Sequence, residues 1–410
     1  MRSALKVGVG LFSVITLAAG CGGHSLSPDG GGGHGGTTGT GTAGTMGSGG
    51  TGGGGGTGGT GGKFTPTRDV DILFMIDNSS STTVMQSNLT ANFPTFMTAL
   101  RNLPGGLPNL HLAIINSDMG AGDGSIAGCD STGGNQGIFQ YTPRGTCTTS
   151  PLMPNQTFIT DIAGAKNYTG TLEDAFTCLA MQGEFGCGFE QPLAAVMRAL
   201  GADGKPAPAE NATFLRPNAL LFIVIVTNED DCSVPTGSTL FNTTTNTNLA
   251  SALGPVQNFR CNEFGHLCNG AKPPRLAPGG DVTAMVPLTG CVPAEGSGML
   301  TPVAAFVSQL RALKAFPDDQ ILLGVIAAAP TPYTVTWKSP STSDTGPWPV
   351  IAHSCSTSDG RFGDPAVRLA ALATSFGTNG ILTSVCDTSY APIFNTLGAA
   401  VGRALDPSAH

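Results

Sequence analysis

An apolar run that ends in a carboxylate and a row of hydroxyls is the feature that most constrains the fold of this chain. Residues 70–76 are rich in Val, Ile, Leu and Phe and are interrupted only by Asp71. Such a run is typical of a strand buried in a parallel sheet. Ligands of these sheets bind just beyond the carboxyl ends of the strands, where Asp77, Ser79 and Ser81 follow. These hard oxygen ligands on one tight loop suit Mg²⁺, although Asp-Asn-Ser-Ser is also good turn and helix-cap chemistry.

Apolar runs alternate with amphipathic stretches along the rest of the chain. The predicted strands are 70–76, 110–116, 220–226, 321–327 and 381–385. The predicted helices are 82–103, 171–181, 189–200, 302–313, 365–375 and 387–404. We expect Pro94 to kink or divide the first helix, and Asp364 and Asp387 to cap the last two. The alternation predicts one α/β domain with a doubly wound, mainly parallel Rossmann-like sheet and helices on both faces.

Polar, Gly- and Pro-rich stretches interrupt this pattern and cannot belong to regular core elements. They predict insertions at about 118–170, 233–299 and 330–362. The first insertion contains Asp118, Asp123 and Asp130, which could hold Ca²⁺. Because the EF-hand spacing is absent, a solvated loop is the favoured interpretation of these three residues.

The first sixty residues predict export and anchoring rather than folding. Arg2 and Lys6 precede an apolar stretch at 7–19, which is typical of a secretory signal and too short to be a confident membrane span. The string LAAGC resembles a lipoprotein lipobox, except that Leu17 lies one position further from Cys21 than usual. Residues 1–20 are therefore expected to be a signal peptide and Cys21 a lipidated N-terminus. An ordinary cleaved signal is the alternative.

Residues 21–67 form a tether of mostly Gly and Thr that cannot bury a core. A flexible chain of that length spans roughly 35 Å. No acidic residue follows Cys21 directly, which resembles the outer-membrane pattern of Gram-negative lipoproteins. The predicted location is therefore the cell envelope, as an outer-membrane lipoprotein that faces either the periplasm or the outside.

Cysteine number and charge bound the function further. Besides Cys21 there are ten cysteines, an even set that in an exported chain predicts disulfides: Cys129, Cys147, Cys178, Cys187, Cys232, Cys261, Cys268, Cys291, Cys355 and Cys386. Spacing leaves the connectivity open. The expected pairs are Cys129–Cys147, Cys178–Cys187, Cys261–Cys268, Cys232–Cys291 and Cys355–Cys386. With 11% charged residues, a net charge of −8 and no basic run, nucleic acid is not an expected partner.

The first motif and the order of elements around it resemble the von Willebrand factor type A (vWA) domain. The D-x-S-x-S spacing of Asp77, Ser79 and Ser81 matches that family's metal-ion-dependent adhesion site (MIDAS). The resemblance covers about 68–405 and is closest to disulfide-rich type A lipoproteins of the myxobacteria. It rests also on the strings VTNEDDCS, GCGFEQPL, FGDPAVRLAAL and SVCDTSY.

The chain departs from the family's other two motifs. The Asp that ends the family's fourth strand is Asn228 here, followed by the acids Glu229, Asp230 and Asp231. The usual Thr of the second loop is missing, and Glu190 is the nearest strong ligand, with Thr171 more distant. The resemblance thus implies a site for Mg²⁺, or alternatively Mn²⁺ or Ca²⁺, with the following ligands: Asp77, Ser79, Ser81, Glu190 and Asn228. The alternative for Glu190 is a first-turn helix residue favoured by the helix dipole.

The resemblance implies a surface-anchored, non-enzymatic ligand-binding or adhesion domain. Its partner would be a protein that presents an acidic residue, and it would meet the membrane only through its lipid anchor. Asn228 motivates a second interpretation, a structural envelope lipoprotein with a vestigial metal site. A metal-dependent hydrolase is less favoured, because no G-x-S-x-G elbow and no carboxylates for a second metal are evident.

Overall fold

The computed structural model describes residues 64–406 and 408, apart from 123, 127, 130–132, 245–247 and 339–346. The predicted signal peptide, Cys21 and residues 22–62 of the tether lie outside the described residues, as do Asp123 and Asp130. All five predicted strands are present and each lies within one residue of its expected bounds.

The strands include five long apolar runs and nine shorter segments that belong mostly to the insertions. They are β1 (Asp69–Ile76), β2 (Asn109–Asn116), β3 (Ile159–Ile162), β4 (Ala165–Lys166), β5 (Leu220–Val226), β6 (His266–Cys268), β7 (Val286–Leu288), β8 (Cys291–Pro293), β9 (Ile321–Ala327), β10 (Tyr333–Lys338), β11 (Trp348–Ala352), β12 (Cys355–Ser356), β13 (Phe362–Gly363) and β14 (Gly380–Ser384).

The helices mostly connect the long strands. They are α1 (Thr83–Arg101), α2 (Leu172–Ala180), α3 (Pro192–Leu200), α4 (Phe259–Gly265), α5 (Val303–Arg311), α6 (Pro317–Gln320), α7 (Val367–Ser375) and α8 (Ala391–Ala404). Among the described residues, none of these helices is both long enough and apolar enough to cross a bilayer.

The five long strands, together with the short β3 and β4, form a seven-stranded sheet in the order β14-β9-β5-β1-β2-β3-β4. The first five are parallel, and β3 and β4 are antiparallel additions at one edge. The chain leaves β1 toward β2 on one side and later returns to β5 on the other, so the order reverses between β1 and β5. Such a switch point opens a crevice at the carboxyl ends of the two strands. In the register of the sheet, Ile76 of β1 lies between Asn116 of β2 and Val226 of β5.

Alternation of side chains along β1 builds two separate cores. Ile72 and Phe74 point to the face covered by α1, α2 and α8, where the rings of Phe93 and Phe176 stack at 3.7 Å. Leu73 and Met75 point to the opposite face, which α3, α5 and α7 cover. Both faces of the strand are buried because successive side chains alternate across the sheet. The prediction of an α/β domain with helices on both faces is confirmed.

Two predicted helix caps are absent, and of the two effects expected of Pro94 the division of α1 does not occur. The proline is exposed, and the neighbouring Phe93 and Phe96 are fully buried, so packing holds the helix together across it. Asp364 does not cap α7, because its carboxylate accepts a hydrogen bond from His353 Nδ1 (2.6 Å). Asp387 does not cap α8 either, since its Oδ2 accepts from Thr383.

The second and third insertions bury small cores of their own. Strand β10 pairs with β7 and β11, and its Tyr333, Val335 and Trp337 pack with Phe259 and Ile351. A further apolar cluster gathers Phe189, Phe241 and Phe264 around two disulfides. The expectation that these segments lie outside any core is therefore wrong, and they form a structured cap beside the main sheet.

All ten expected cysteines are paired. The disulfides are Cys129–Cys187, Cys147–Cys178, Cys232–Cys261, Cys268–Cys291 and Cys355–Cys386. Only the last agrees with the expected connectivity, and the other four expected pairs are wrong. The reason is that pairing follows tertiary neighbours rather than sequence spacing. Cys268 and Cys291, for example, lie opposite each other on β6 and β8.

The buried side chain of Lys314 should make the folded protein more stable at alkaline pH. Its side chain donates to the carbonyls of Arg216 (2.6 Å) and Ala219 (2.8 Å) and is only 6% exposed. Burial lowers the pKa of Lys314 from 10.5 to about 8. Between those two values the unfolded chain binds more protons than the folded one, so the free energy of unfolding rises with pH. We expect a gain of about 3 kcal/mol across this window, measured by urea unfolding at pH 7.5 and at pH 10.5.

The matched comparison is Lys314→Met against Lys205→Met, because Lys205 is exposed. The Lys314 variant should lose most of the alkaline gain, whereas the Lys205 variant should follow the parent protein. Parallel pH profiles for the parent and Lys314→Met would contradict the assignment.

Candidate functional site

Asp77 lies where the carboxyl ends of β1, β2 and β5 come together. Its backbone N–H donates to Val226 (2.9 Å), so it extends the β1–β5 pairing by one residue. Its side chain is fully buried. Oδ1 accepts from the Ser79 backbone N–H (2.9 Å) and from Ser117 Oγ (3.0 Å), and Oδ2 accepts from Thr227 Oγ1 (2.7 Å). All of these donors are neutral, so the carboxylate is oriented but its charge is not neutralised by them.

Two buried oxygen atoms beside Asp77 have no hydrogen-bond partner. Ser79 Oγ and Asn228 Oδ1 belong to side chains that are 2% and 3% exposed, and neither atom is hydrogen-bonded within the described part of the chain. An unpaired buried polar group costs about 1–3 kcal/mol. Unpaired atoms of this kind in a native structure call for an explanation such as an ion or a ligand. Their oxygen chemistry fits a hard divalent cation.

Glu190 and Glu229 form an acid pair at the same edge of the sheet. Burial, together with the charges of Glu229 and Asp77, raises the pKa of Glu190 well above its usual value. Burial and the nearby Asp364 raise the pKa of Glu229 to about 8, although Asn258 Nδ2 donates to its Oε2 (3.0 Å). A cation near both carboxyls would offset the cost of burying two like charges together.

Glu190 is not a helical residue, so the alternative that it serves the dipole of α3 from the first turn is wrong. The helix begins at Pro192, and Gln191 is its N-cap residue. Glu190 is instead held in the preceding loop, where its carbonyl accepts from the Cys232 N–H (2.8 Å). This bond ties the loop before α3 to the loop after β5.

These acids line a small cavity of about 10 Å³, whose walls include Glu190, Glu229, Asp230, Asp364 and Asn258. Within the described residues, no group of three or more His, Cys, Asp or Glu side chains is arranged to hold a metal ion by itself. A cation in this region would therefore have to draw on hydroxyl and amide oxygens and on water. Ser79 and Asn228 offer oxygens of that kind.

Asp230 and Asp231, the other two acids that follow β5, are paired with basic residues inside the protein. Asp230 accepts from His266 Nε2 (2.8 Å) and from the Arg368 backbone N–H (2.8 Å). Burial acts to raise the pKa of Asp230, but His266 and Arg368 outweigh it and hold the pKa below its usual value. Asp231 pairs with the Arg368 guanidinium (2.9 Å) inside the protein. Asp230 also lines the cavity, but of the three acids after Asn228 only Glu229 has no basic partner among the described residues.

The other candidate ligands named from the sequence lie in environments different from that of Asp77. Ser81 is exposed, lies in the left-handed region (φ 78°), and donates to the Ser80 carbonyl rather than to Asp77. Thr171 caps α2 by accepting from the Asp174 N–H (3.1 Å). Asp118 Oδ1 accepts from Gly120 (2.8 Å). His266 bonds Asp230 and Tyr333, and the neighbouring Cys261 and Cys268 are both in disulfides.

Several residues of the site escaped the sequence analysis. Ser117 and Thr227 directly follow β2 and β5, so the rule that ligand-facing residues lie at strand ends could have found them. Asp364 and Asn258 come from the cap segments, and no local pattern pointed to them. Comparisons with known proteins add no relative, since no protein-family model and no curated protein sequence matches the chain significantly.

Proposed function

We propose that this protein is a surface-anchored, non-enzymatic binding protein that captures a carboxylate of a protein partner through a divalent cation. The observation that carries the proposal is the pair of buried, unpartnered oxygens of Ser79 and Asn228 beside the charged Asp77. They lie at the reversal of strand order, which is the usual ligand position in a doubly wound sheet.

The D-x-S-x-S loop at the end of β1 supports a vWA-type site of the MIDAS class. The central order from antiparallel β3 through β2, β1, β5 and β9 to β14 is compatible with that family. In the proposed site Ser79 and Asn228 supply neutral oxygens, Asp77 supplies charge, and Glu190 adds a second carboxylate. Mg²⁺ is the proposed ion, with Mn²⁺ and Ca²⁺ as alternatives.

The residues of the site make partner binding depend on the cation. Ser117 and Thr227 orient Asp77, and the Cys232–Glu190 backbone bond holds the two acidic loops together. A bound divalent cation would supply the positive charge that attracts the partner's acid. Without it, the cluster of Asp77, Glu190 and Glu229 would repel an acidic ligand.

The proposal includes an outer-membrane lipoprotein anchored through Cys21, with the Gly/Thr tether carrying the domain away from the lipid surface. The partner is a protein that presents an acidic residue. The net charge of −8 without a basic run argues against nucleic acid.

Asn228→Asp tests the cation site directly. The substitution adds a carboxylate beside Asp77, so we expect the affinity for Mg²⁺ to rise about tenfold, because charged ligands set the affinity of hard-cation sites. Isothermal titration calorimetry of the parent protein and the variant with Mg²⁺, Mn²⁺ and Ca²⁺ measures this. In the absence of cation the variant should be less stable than the parent, since the added charge faces Asp77 and Glu190.

The control is Asn379→Asp, which places the same charge change near the amino-terminal end of β14, outside the candidate site. It should leave the cation affinity unchanged. If Asn228→Asp binds Mg²⁺ no better than the parent while the parent does bind, Asn228 does not face the cation.

A structural envelope protein with a vestigial site is the second candidate. It is favoured by Asp77, whose carboxylate is already satisfied by three neutral donors, and by Asn228 in place of the family's acid. Absence of a binding heat with all three cations would favour this candidate over the adhesion function.

A further inference from the structure

An open groove lies next to the candidate cation site. It has a volume of about 380 Å³, and its walls include Ile126, Gly188, Phe189, Thr243, Val256 and Asn258. All the lining side chains in the described part of the chain are uncharged. Asn258 also lines the acidic cavity and donates to Glu229, and Phe189 is followed directly by Glu190. The groove is thus continuous with the acidic site but differs from it in chemistry.

The loop from Gly183 to Glu190 carries an uncovered aromatic ring at the edge of the site. Phe185 is 92% exposed, the most exposed of the large apolar side chains in the described ranges. Its neighbours are held on both sides. The Glu184 carboxylate accepts from the Thr83 N–H (3.0 Å), and the Gly186 N–H donates to the Asn78 carbonyl (2.7 Å) in the loop after Asp77.

Disulfides fix the walls of the groove. Cys187 is joined to Cys129, which brings Ile126 and Phe189 into one apolar cluster. Cys232 is joined to Cys261 in the same cluster. This disulfide connects the loop after β5 to α4, three residues after Asn258. Because disulfides hold the walls of the groove in place, little conformational entropy is lost when a ligand enters, and this favours binding.

We propose that this groove and Phe185 recognise the residues flanking the partner's acid, so that the ligand is an extended peptide with a bulky apolar side chain beside an Asp or Glu. The inference rests on the proposed cation site. An apolar side chain suits the uncharged groove, whereas a second charged residue would be desolvated there without a partner. The neighbouring cation would take the carboxylate, and the short chain connection between Phe189 and Glu190 sets the two subsites side by side.

The test uses the full-length protein and immobilised hexapeptides of sequence Gly-Gly-X-Asp-Gly-Gly and Gly-Gly-Asp-X-Gly-Gly, with X as Phe, Leu, Ser or Lys. Binding is measured in Mg²⁺ and in EDTA. We expect the Phe and Leu peptides to bind at least about tenfold more tightly than the Ser and Lys peptides, and only in Mg²⁺, since an apolar group that fills a pocket contributes about 1–3 kcal/mol.

Gly188→Phe blocks the groove with little risk to folding. A Cβ at Gly188 meets no atom within 4 Å, and its backbone is outside the left-handed region. Gly296→Phe is the matched control, because Gly296 has the same two properties and does not line the groove. Gly188→Phe should abolish the preference for Phe and Leu while leaving the Mg²⁺ affinity unchanged in calorimetry. Phe185→Ala, at an exposed position, should weaken binding of the Phe peptide about fivefold, because aromatic side chains are among the residues that dominate interface energies.

Three outcomes are distinguishable. Selective, Mg²⁺-dependent binding that Gly188→Phe removes and Gly296→Phe retains supports the inference. Mg²⁺-dependent binding of all Asp peptides regardless of X, unaffected by Gly188→Phe, overturns it and leaves the proposed function standing. A protein that binds no Mg²⁺ in calorimetry overturns both.

Discussion

Asp77→Asn is expected to lower the affinity for Mg²⁺ by at least about 100-fold. The variant keeps the size of the side chain but removes the only carboxylate that neutral donors orient between β1, β2 and β5. Even residues outside the first coordination sphere contribute 10- to 100-fold to metal affinity, and loss of the central charge should cost at least as much. Calorimetry with Mg²⁺ measures the change, and capture of Asp-containing peptides should fall in parallel.

Asp71→Asn is the matched control for this experiment. Asp71 is on the same strand and fully buried, but it faces Arg216 (2.7 Å) at the opposite end of β1. The control should lose stability, because it breaks a buried ion pair, and yet bind Mg²⁺ with the parent affinity. Comparable cation affinities for Asp77→Asn and the parent would remove Asp77 from the site and with it the basis of the proposed function.

Arg368→Met is expected to destabilise the folded protein by about 3–5 kcal/mol. The guanidinium is fully buried, and its Nε and one Nη donate to Asp231 (3.1 and 2.9 Å) and to the Thr301 carbonyl (2.7 Å). Removing the guanidinium leaves the negative charge of Asp231 buried without a positively charged partner. Denaturant unfolding with the disulfides intact measures the loss.

Two further variants separate charge from packing. Adding Asp231→Asn to Arg368→Met should restore part of the stability, since no buried charge is then left unpaired. Arg311→Met removes a partly exposed arginine from its pair with the exposed Asp318 and should change the free energy of unfolding by less than about 1 kcal/mol. A similar small effect at Arg368 would mean that the buried pair is not what holds the loop after β5 in place.

The ion pair between Arg368 and Asp231 matters for the candidate site because Asp231 anchors the loop that carries Asn228 and Glu229. Asp231 Oδ1 also accepts from the Leu193 N–H at the start of α3 (3.1 Å). One buried carboxylate therefore connects β5, α3 and α7. The three acids that follow Asn228 therefore differ in role, since Asp230 and Asp231 pair with His266 and Arg368, whereas Glu229 lines the cavity without a basic partner among the described residues.

The elements of the central sheet could be predicted because their signal is local. Runs such as 70–76 and 321–327 are apolar throughout, which only a strand covered on both faces requires. The rule that ligands lie beyond strand ends led to Asp77 and Ser79 as candidate ligands, and both are buried at the end of β1. Ser81, proposed with them, is exposed and has a left-handed backbone, a loop conformation that the sequence pattern did not indicate.

The sequence by itself determined the α/β class, the positions of the parallel strands and the place of Asp77 at a strand end, because hydrophobic periodicity and chain direction are properties of neighbouring residues. Only the tertiary structure decided which cysteines pair, which acids are neutralised by Arg368 and His266, and which oxygens are left without partners. Those outcomes depend on contacts between separate segments, from Cys268 with Cys291, which are 23 residues apart, to Asp230 with Arg368 and Asp77 with Thr227, which are more than a hundred residues apart. The electrostatics of the site arise from these long-range contacts, since burial and charged neighbours, rather than residue type, decide whether a carboxylate is neutralised or left to face a cation.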